Sequence, residues 1–269
     1  MTRKEKRFVE IVWEHYKTHG RRSLPWRQTQ NPYRILVSEI MLQQTQVERV
    51  LLKYVSFLKR FPTLKKLSEA SLGDVLREWQ GLGYNRRAKM LHQCAIQITN
   101  EYKGKFPKTH IELMKLPGVG HYTAGAIMAF AYNIPIPIIE TNIRTVFIHN
   151  FFHDETNISD QQLFPLMGIV LDEENPREWY YALMDYGSFL KKTLGNPNSR
   201  SKHYVVQTPF KNSDRQIRGA ILKLLSAKQI TRSTFHKELS FDIQRIDVQL
   251  ERLINEKMII KTGQKYRLP

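Results

Sequence analysis

Leu116-Pro117-Gly118-Val119-Gly120-His121-Tyr122-Thr123-Ala124 is the stretch on which the fold turns. Residues 111–116 lead into it with a short helical pattern, and residues 122–132 leave it with another. Two glycines between two helices let the backbone turn tightly and come close to a ligand. The amides at the N-terminus of the second helix then suit an anion such as a DNA phosphate. A plain interhelical turn carries the same pattern, so both readings stand at this point.

The chain around it is helical too. Phe8, Ile11, Val12 and Tyr16 form one apolar stripe, and apolar periodicity predicts helices over about 33–44, 46–61, 71–79, 86–102 and 142–151. Ile134-Pro135-Ile136-Pro137-Ile138-Ile139 cannot continue a helix and reads as an extended segment that delivers Glu140 to the mouth of the next one. The polar stretch 195–211 marks a boundary, giving a helical domain over 1–205 and a small one over 206–269. In the latter, helical patterns at 213–226, 231–239 and 242–256 precede an alternating segment from Met258 to Leu268 around a glycine turn. Three helices and then a hairpin is the winged-helix order.

Lys and Arg number 42 against 25 Asp and Glu, a net charge of +17. That excess favours a polyanionic partner, because each neutralised phosphate releases counterions. Nucleic acid leads, with the ribosome and an anionic membrane surface as alternatives. Residues 210–269 alone hold 13 basic and 6 acidic residues, in keeping with a nucleic-acid contact. No run of about 18 apolar residues is present, so no membrane span is expected. The basic N-terminus lacks the apolar stretch of a secretory signal, which points to the cytoplasm, nucleoid-associated in a prokaryote. The single cysteine, Cys94, rules out an internal disulfide and any four-cysteine metal or cluster site. It reads as a small buried hydrophobe.

Other stretches accompany the hairpin in a fixed order. Leu24-Pro25-Trp26-Arg27, Asn31-Pro32-Tyr33-Arg34, Ser38-Glu39-Ile40-Met41-Leu42-Gln43-Gln44-Thr45-Gln46-Val47 and Gly81-Leu82-Gly83-Tyr84 precede it. Glu140-Thr141-Asn142-Ile143-Arg144-Thr145-Val146 and Ala182-Leu183-Met184-Asp185-Tyr186-Gly187 follow. Over about residues 5–192 this set resembles the helix-hairpin-helix (HhH-GPD) DNA glycosylases, in particular the MutY-type adenine glycosylases, and more broadly the endonuclease III superfamily.

The resemblance implies an all-α, two-lobed helix-hairpin-helix glycosylase fold, with double-stranded DNA bound across the cleft and a winged-helix-like domain appended. Such enzymes extrude the target nucleotide, since a glycosidic bond cannot be reached inside a stacked duplex. By motif, Glu39 matches the acid that protonates the departing adenine, a task that needs a sheltered carboxyl. Gln43 and Gln44 match positions beside the opened base pair, and Tyr122 and Asn142 match the pocket lining. Leu116, Gly118, Val119 and Gly120 belong to the phosphate-gripping hairpin. Tyr84 falls in the wedge motif, where Asn85 stands in the place of a frequent second tyrosine. Bifunctional relatives carry a Schiff-base lysine at the Tyr122 position; a phenol cannot serve, so no AP lyase step is expected. A monomer suits a cleft that clamps DNA.

Three departures from the resemblance stand out. Glu140 occupies the place of an aspartate that stabilises charge on the sugar, and the extra methylene moves the carboxylate by about an ångström, a misplacement that can cost roughly 100-fold. Its alternative reading is a charge favoured by a helix N-terminus. Residues 186–195 replace a cysteine-rich loop without any thiolate, so no cofactor or metal is expected. There Lys191 and Lys192 either contact phosphates or belong to a solvated basic loop. The C-terminal 60 or so residues do not match the larger domain with which MutY-type proteins recognise 8-oxoguanine. The expected function is a monofunctional DNA glycosylase of base excision repair, acting on adenine opposite 8-oxoguanine or guanine, which the Gln43-Gln44-Thr45-Gln46 run favours. Removal of uracil or thymine opposite guanine is the alternative enzyme, and a non-catalytic lesion- or mismatch-binding protein the alternative of another class.

Overall fold

Helix-start signals recur along the chain, and the computed structural model, which describes residues 1–269, turns them into fourteen α-helices and three short strands. In order these are α1 (Arg3–His19), α2 (Pro32–Leu42), α3 (Val47–Arg60), α4 (Leu64–Ser68), α5 (Leu72–Glu78), α6 (Arg86–Glu101) and α7 (His110–Leu113). Then come α8 (His121–Tyr132), α9 (Thr141–Phe151), α10 (Asp160–Val170) and α11 (Pro176–Leu194). The chain ends with α12 (Asp214–Ala227), β1 (Ile230–Thr231), α13 (Arg232–Glu238), α14 (Ile243–Asn255), β2 (Ile260–Thr262) and β3 (Lys265–Arg267). Thr2, Thr63, Ser71, Thr109, Ser213, Thr231 and Asp242 each cap a helix by accepting a backbone N–H. The fold is the mostly helical one that the motifs imply. No helix is long and apolar enough to cross a membrane.

Three helices escape the sequence reading: α4, α10 and α11. The first is five residues long and the second carries Pro165 in its interior, so both blur the helical signal. The third corrects an expectation. Residues 186–194, read as loop, form the last turns of a 19-residue helix that starts on Pro176 and buries Trp179, Tyr180, Leu183 and Leu190 at helical spacing.

The chain divides into two compact units. The first comprises Met1–Leu36, Pro107–Lys115 and Val119–Val206. In it α11 packs against α9, α1 and α8, and α10 packs against α1 and α9. The Phe8 ring meets Phe147 at 5.3 Å and Phe151 at 5.0 Å, so the stripe on α1 is the inner face of the unit. At its centre Asp185 is 4 % exposed. Arg27 grips it bidentately at 2.7 and 2.8 Å, and Arg21 donates from Nε at 2.7 Å and from its backbone N–H at 2.9 Å.

The second unit comprises Val37–Phe106, Leu116–Gly118 and Gln207–Pro269. Phe57, Trp79, Leu91 and Ile98 are fully buried there, where α6 packs on α4 and α5. Residues 207–269 share this unit with 37–106, α12 packing on α5 as well as on α14. Their order, helix, strand, two helices and two strands, is that of a winged helix. Its antiparallel sheet runs β1-β3-β2, with Tyr266 of β3 opposite both Ile230 and Lys261. The strand β1 is two residues long, too short for alternation to reveal it in the sequence.

Burial works to raise the Asp185 pKa, but the Arg27 fork and Arg21 overcome it and hold the carboxyl below the usual aspartate range. The stability this contributes is present above the ordinary aspartate pKa and is lost as pH falls through the depressed one. Asp185→Asn leaves Arg27, whose side chain is 5 % exposed, buried without its counter-ion. The expected cost is about 3–5 kcal/mol, and a thermal melt at neutral pH should show a fall on the order of 10 °C.

Candidate active site

The extended segment that precedes Glu140 is pinned by one hydroxyl. Tyr180 of α11 donates to the Ile136 carbonyl at 2.6 Å and accepts from the Ile138 N–H at 3.3 Å. The pinned chain delivers Glu140 as the N-cap of α9. Its Oε1 accepts from the backbone N–H groups of Asn142 at 2.7 Å and Ile143 at 2.9 Å, and its Oε2 from the Asn142 side-chain amide at 3.2 Å. The glutamate carboxylate folds back onto the turn that follows and caps it. Burial pushes the Glu140 pKa up, opposed by those two backbone N–H groups and by the nearby charges of Lys191 and Arg144.

Lys191 is no member of a solvated loop. On the last turn of α11 it donates from Nζ to Asn142 Oδ1 at 3.0 Å, tying Lys191, Asn142 and Glu140 into one cluster. Gly187 makes this possible. It lies one turn before Lys191 on the same face, and a Cβ there would stand 2.2 Å from the Asn142 carbonyl oxygen. The Ala182–Gly187 motif therefore lets α11 touch the N-terminus of α9. Lys192 beside it is exposed. Arg144 of the same stretch forks onto Asp160 of α10 at 2.7 and 2.9 Å, which fixes α9 from its other side. Tyr122, on the first turn of α8, is half-buried.

In the hairpin, Leu116 and Val119 are buried, so whatever they offer a ligand comes from their backbone. Gly118 has φ +77° and its missing Cβ would lie 2.8 Å from Met90 Cβ on α6. Glycine is required there twice over, by conformation and by space. Gly120 is exposed, with nothing near its missing Cβ, and it starts α8 without a side-chain cap.

In the second unit Glu39 lies on α2 and is 6 % exposed, a sheltered carboxyl. Gln43, Gln44, Tyr84 and Asn85 come together along one cavity of about 430 Å³. Gln44 and Tyr84 both have left-handed backbone, at φ 54° and 45°. Such residues cost roughly 1–3 kcal/mol each and concentrate where function demands a shape.

What holds them is Arg87, which the sequence reading passed over. Its guanidinium donates to the carbonyls of Ile40, Met41, Gln43, Leu82 and Gly83 and to the Thr45 hydroxyl. One side chain thus ends α2, just beyond Glu39, and shapes the loop that carries Tyr84. Burial pushes its pKa down to about 10. The available signal was its position, since a cation in the first turn of a helix opposes the macrodipole and needs another reason to be there.

No group of three or more His, Cys, Asp or Glu side chains is placed to hold a metal. An iron–sulfur cluster needs several thiolates. The one cysteine is buried in α6 with its thiol pushed up to about 12 by burial, so the residues present do not fit such a cluster.

Residues 37–165 match the family described as HhH-GPD superfamily base excision DNA repair protein. The chain is 36 % identical over 187 residues to an adenine DNA glycosylase of Buchnera aphidicola, covering 68 % of this chain and 52 % of that one, about half its length. It is 33 % identical over 276 residues to an adenine DNA glycosylase of Mycobacterium tuberculosis, covering 94 % of this chain and 89 % of the other. Among solved structures it is similar to a thermostable thymine-DNA glycosylase, with a TM-score of 0.61 and 27 % identity over 69 % of this chain and 86 % of that one.

Two glycines test the geometry directly. Gly187→Ala should force α11 off α9, and Gly118→Ala should strain the hairpin against Met90. Each is expected to lower stability by about 1–3 kcal/mol in urea unfolding, whereas Gly120→Ala, with open space around it, should change the midpoint far less.

Proposed function

The chain belongs to the HhH-GPD superfamily of base excision DNA repair proteins, and we propose that it is a monofunctional DNA N-glycosylase that removes adenine mispaired with 8-oxoguanine or guanine. The observation that carries this reading is Glu39, a carboxyl sheltered on α2 within the Ser38–Val47 motif. A sheltered carboxyl is the kind of group that gives its proton to a departing base. Protonated adenine is the better leaving group, so the glycosidic bond breaks with positive charge left on the sugar.

Glu140 supplies the negative charge that an oxocarbenium-like centre requires, held in place by the α9 amides, with Asn142 and Lys191 fixing its orientation. Tyr122 stands where a Schiff-base lysine would be needed, which supports hydrolysis without strand cleavage. Duplex DNA is the partner that a charge of +17 favours. The hairpin and the N-terminus of α8 suit a phosphate; Lys191 and Lys192, on the last turn of α11, add positive charge for the DNA backbone. Gln43, Gln44, Tyr84 and Asn85 serve the opened base pair. The likeness to a thymine-DNA glycosylase favours a second reading, removal of thymine or uracil opposite guanine.

Single-turnover excision on duplexes with adenine opposite 8-oxoguanine, adenine opposite guanine, and thymine or uracil opposite guanine tests both readings. Strand breaks appearing only after alkali, and fastest for adenine, are the expected result; a pyrimidine preference would install the second reading, and breaks without alkali would refute the monofunctional step. Glu39→Gln should lower the rate by about 10²–10⁴ while duplex binding persists; unchanged turnover would remove Glu39 from the mechanism. Because burial raises the Glu140 pKa and its charged form is the one required, the rate should fall on the acid side from a pH above the ordinary glutamate range. Glu140→Gln should abolish turnover at every pH.

A further inference from the structure

At the end of α11 opposite to Lys191 the first unit holds a cavity of about 420 Å³, between α1 and the start of α11. Trp13, Tyr16, Lys17, Arg22, Asn175 and Glu178 line it. Its volume falls within the range of about 300–1,000 Å³ typical of small-molecule sites. Glu178 and Lys191 are separated by about 20 Å of helix, at about 1.5 Å per residue. The cavity is therefore distinct from the cluster around Glu140.

An aromatic corner is fixed there. The Tyr16 hydroxyl donates to Glu178 Oε2 at 2.5 Å. Burial and that bond raise the Tyr16 pKa, so the phenol stays a donor. The Arg22 guanidinium lies over the Tyr16 ring at 4.3 Å, and Trp13 meets the same ring edge-on at 6.1 Å. Trp13 is backed in turn by the buried Trp179 at 5.5 Å.

Polar groups of both signs are left over around this corner. Asparagine is among the best N-cap residues, yet Asn175 stands at the N-cap of α11 without capping it through its side chain. Glu178 commits Oε2 to Tyr16 and keeps Oε1. Lys17 and Arg22 present their charges to solvent. Two cations beside an indole suit a phosphate joined to a planar ring: the cations take the phosphate, and the indole stacks on the base. A purine has the larger face to stack. The remaining groups select among bases. A carboxylate accepts from an amino group and repels the carbonyl that uracil or thymine shows in its place, and an asparagine amide pairs with adenine as donor and acceptor at once.

We propose that this cavity binds a purine nucleoside phosphate, with Trp13 stacking on the base, Glu178 and Asn175 reading its amino-bearing edge, and Lys17 and Arg22 holding the phosphate. A free nucleotide and a nucleotide of a single DNA strand offer the same chemistry. The site stands whether or not the glycosylase reading does.

Trp26, Trp79 and Trp179 are buried and Trp13 is half-buried, so a base stacking on Trp13 quenches the accessible tryptophan emission. The full chain is titrated with AMP, GMP, UMP and adenosine, followed by that emission and by calorimetry. AMP and GMP should saturate with half-points below about 1 mM, and UMP and adenosine should bind about fivefold or more weakly. Lys17→Ala and Arg22→Ala should each weaken AMP by about fivefold or more and leave adenosine unchanged. Trp13→Ala should abolish the heat of AMP binding; should that variant melt early, the two exposed cation variants decide. Displacement of AMP by a single-stranded oligo-dA would name the DNA strand as the natural source, and AMP retained in its presence would name the free nucleotide. Absence of saturation, equal affinity for UMP and AMP, or AMP binding indifferent to both cation variants would overturn the proposal.

Discussion

Asp185 is the constraint on which the first unit depends. A carboxylate taken out of water costs several kcal/mol unless charge and hydrogen bonds replace the lost hydration. Arg27 and Arg21 supply both, and in doing so they join the Leu24–Arg27 motif to the middle of α11. The rotation of α11 is then fixed. Two residues on, Gly187 meets the Asn142 carbonyl; one turn further, Lys191 meets the Asn142 side chain. The position of Glu140 follows from that helix, because Tyr180 of α11 also pins the extended segment before it. A set of motifs far apart in the chain thus reduces to contacts made by one helix.

The second unit has a counterpart of opposite sign. Arg87 gathers six oxygens from the end of α2 and from two loops, and in return forgoes bulk hydration. It stabilises a shape that the backbone alone would avoid, with Gln44 and Tyr84 in left-handed conformations. Rigid support of this kind is what a site needs if its donors are to be in place before a ligand arrives.

The absent thiolates also find a physical account. Where a cysteine-rich loop would begin, α11 runs on for two more turns and presents Lys191 inward to Asn142. An ammonium hydrogen-bonded to the cluster around Glu140 ties α11 to α9 by local charge. Glutamate in place of aspartate belongs to the same arrangement: the longer side chain turns back to cap α9. The amides that cap the helix also fix the Glu140 carboxylate in position, as the proposed catalytic charge requires.

The sequence by itself determined the helix-hairpin-helix frame, the family, the winged-helix order of the last 60 or so residues and the identity of the motif residues. Those signals are local: glycine at a turn, apolar residues at helical spacing, side chains in fixed order. It did not reveal α11, whose Ala182–Gly187 stretch reads as a motif rather than a helix and whose lysine-rich end looks like a basic loop until Leu190 is seen to be buried. Nor did it reveal Arg87, Arg215 or the Lys191–Asn142 tie. Each of these is a long side chain whose partners lie from tens of residues to more than a hundred away. What such a side chain touches is decided by packing and desolvation between remote segments, and only the tertiary structure carries that information.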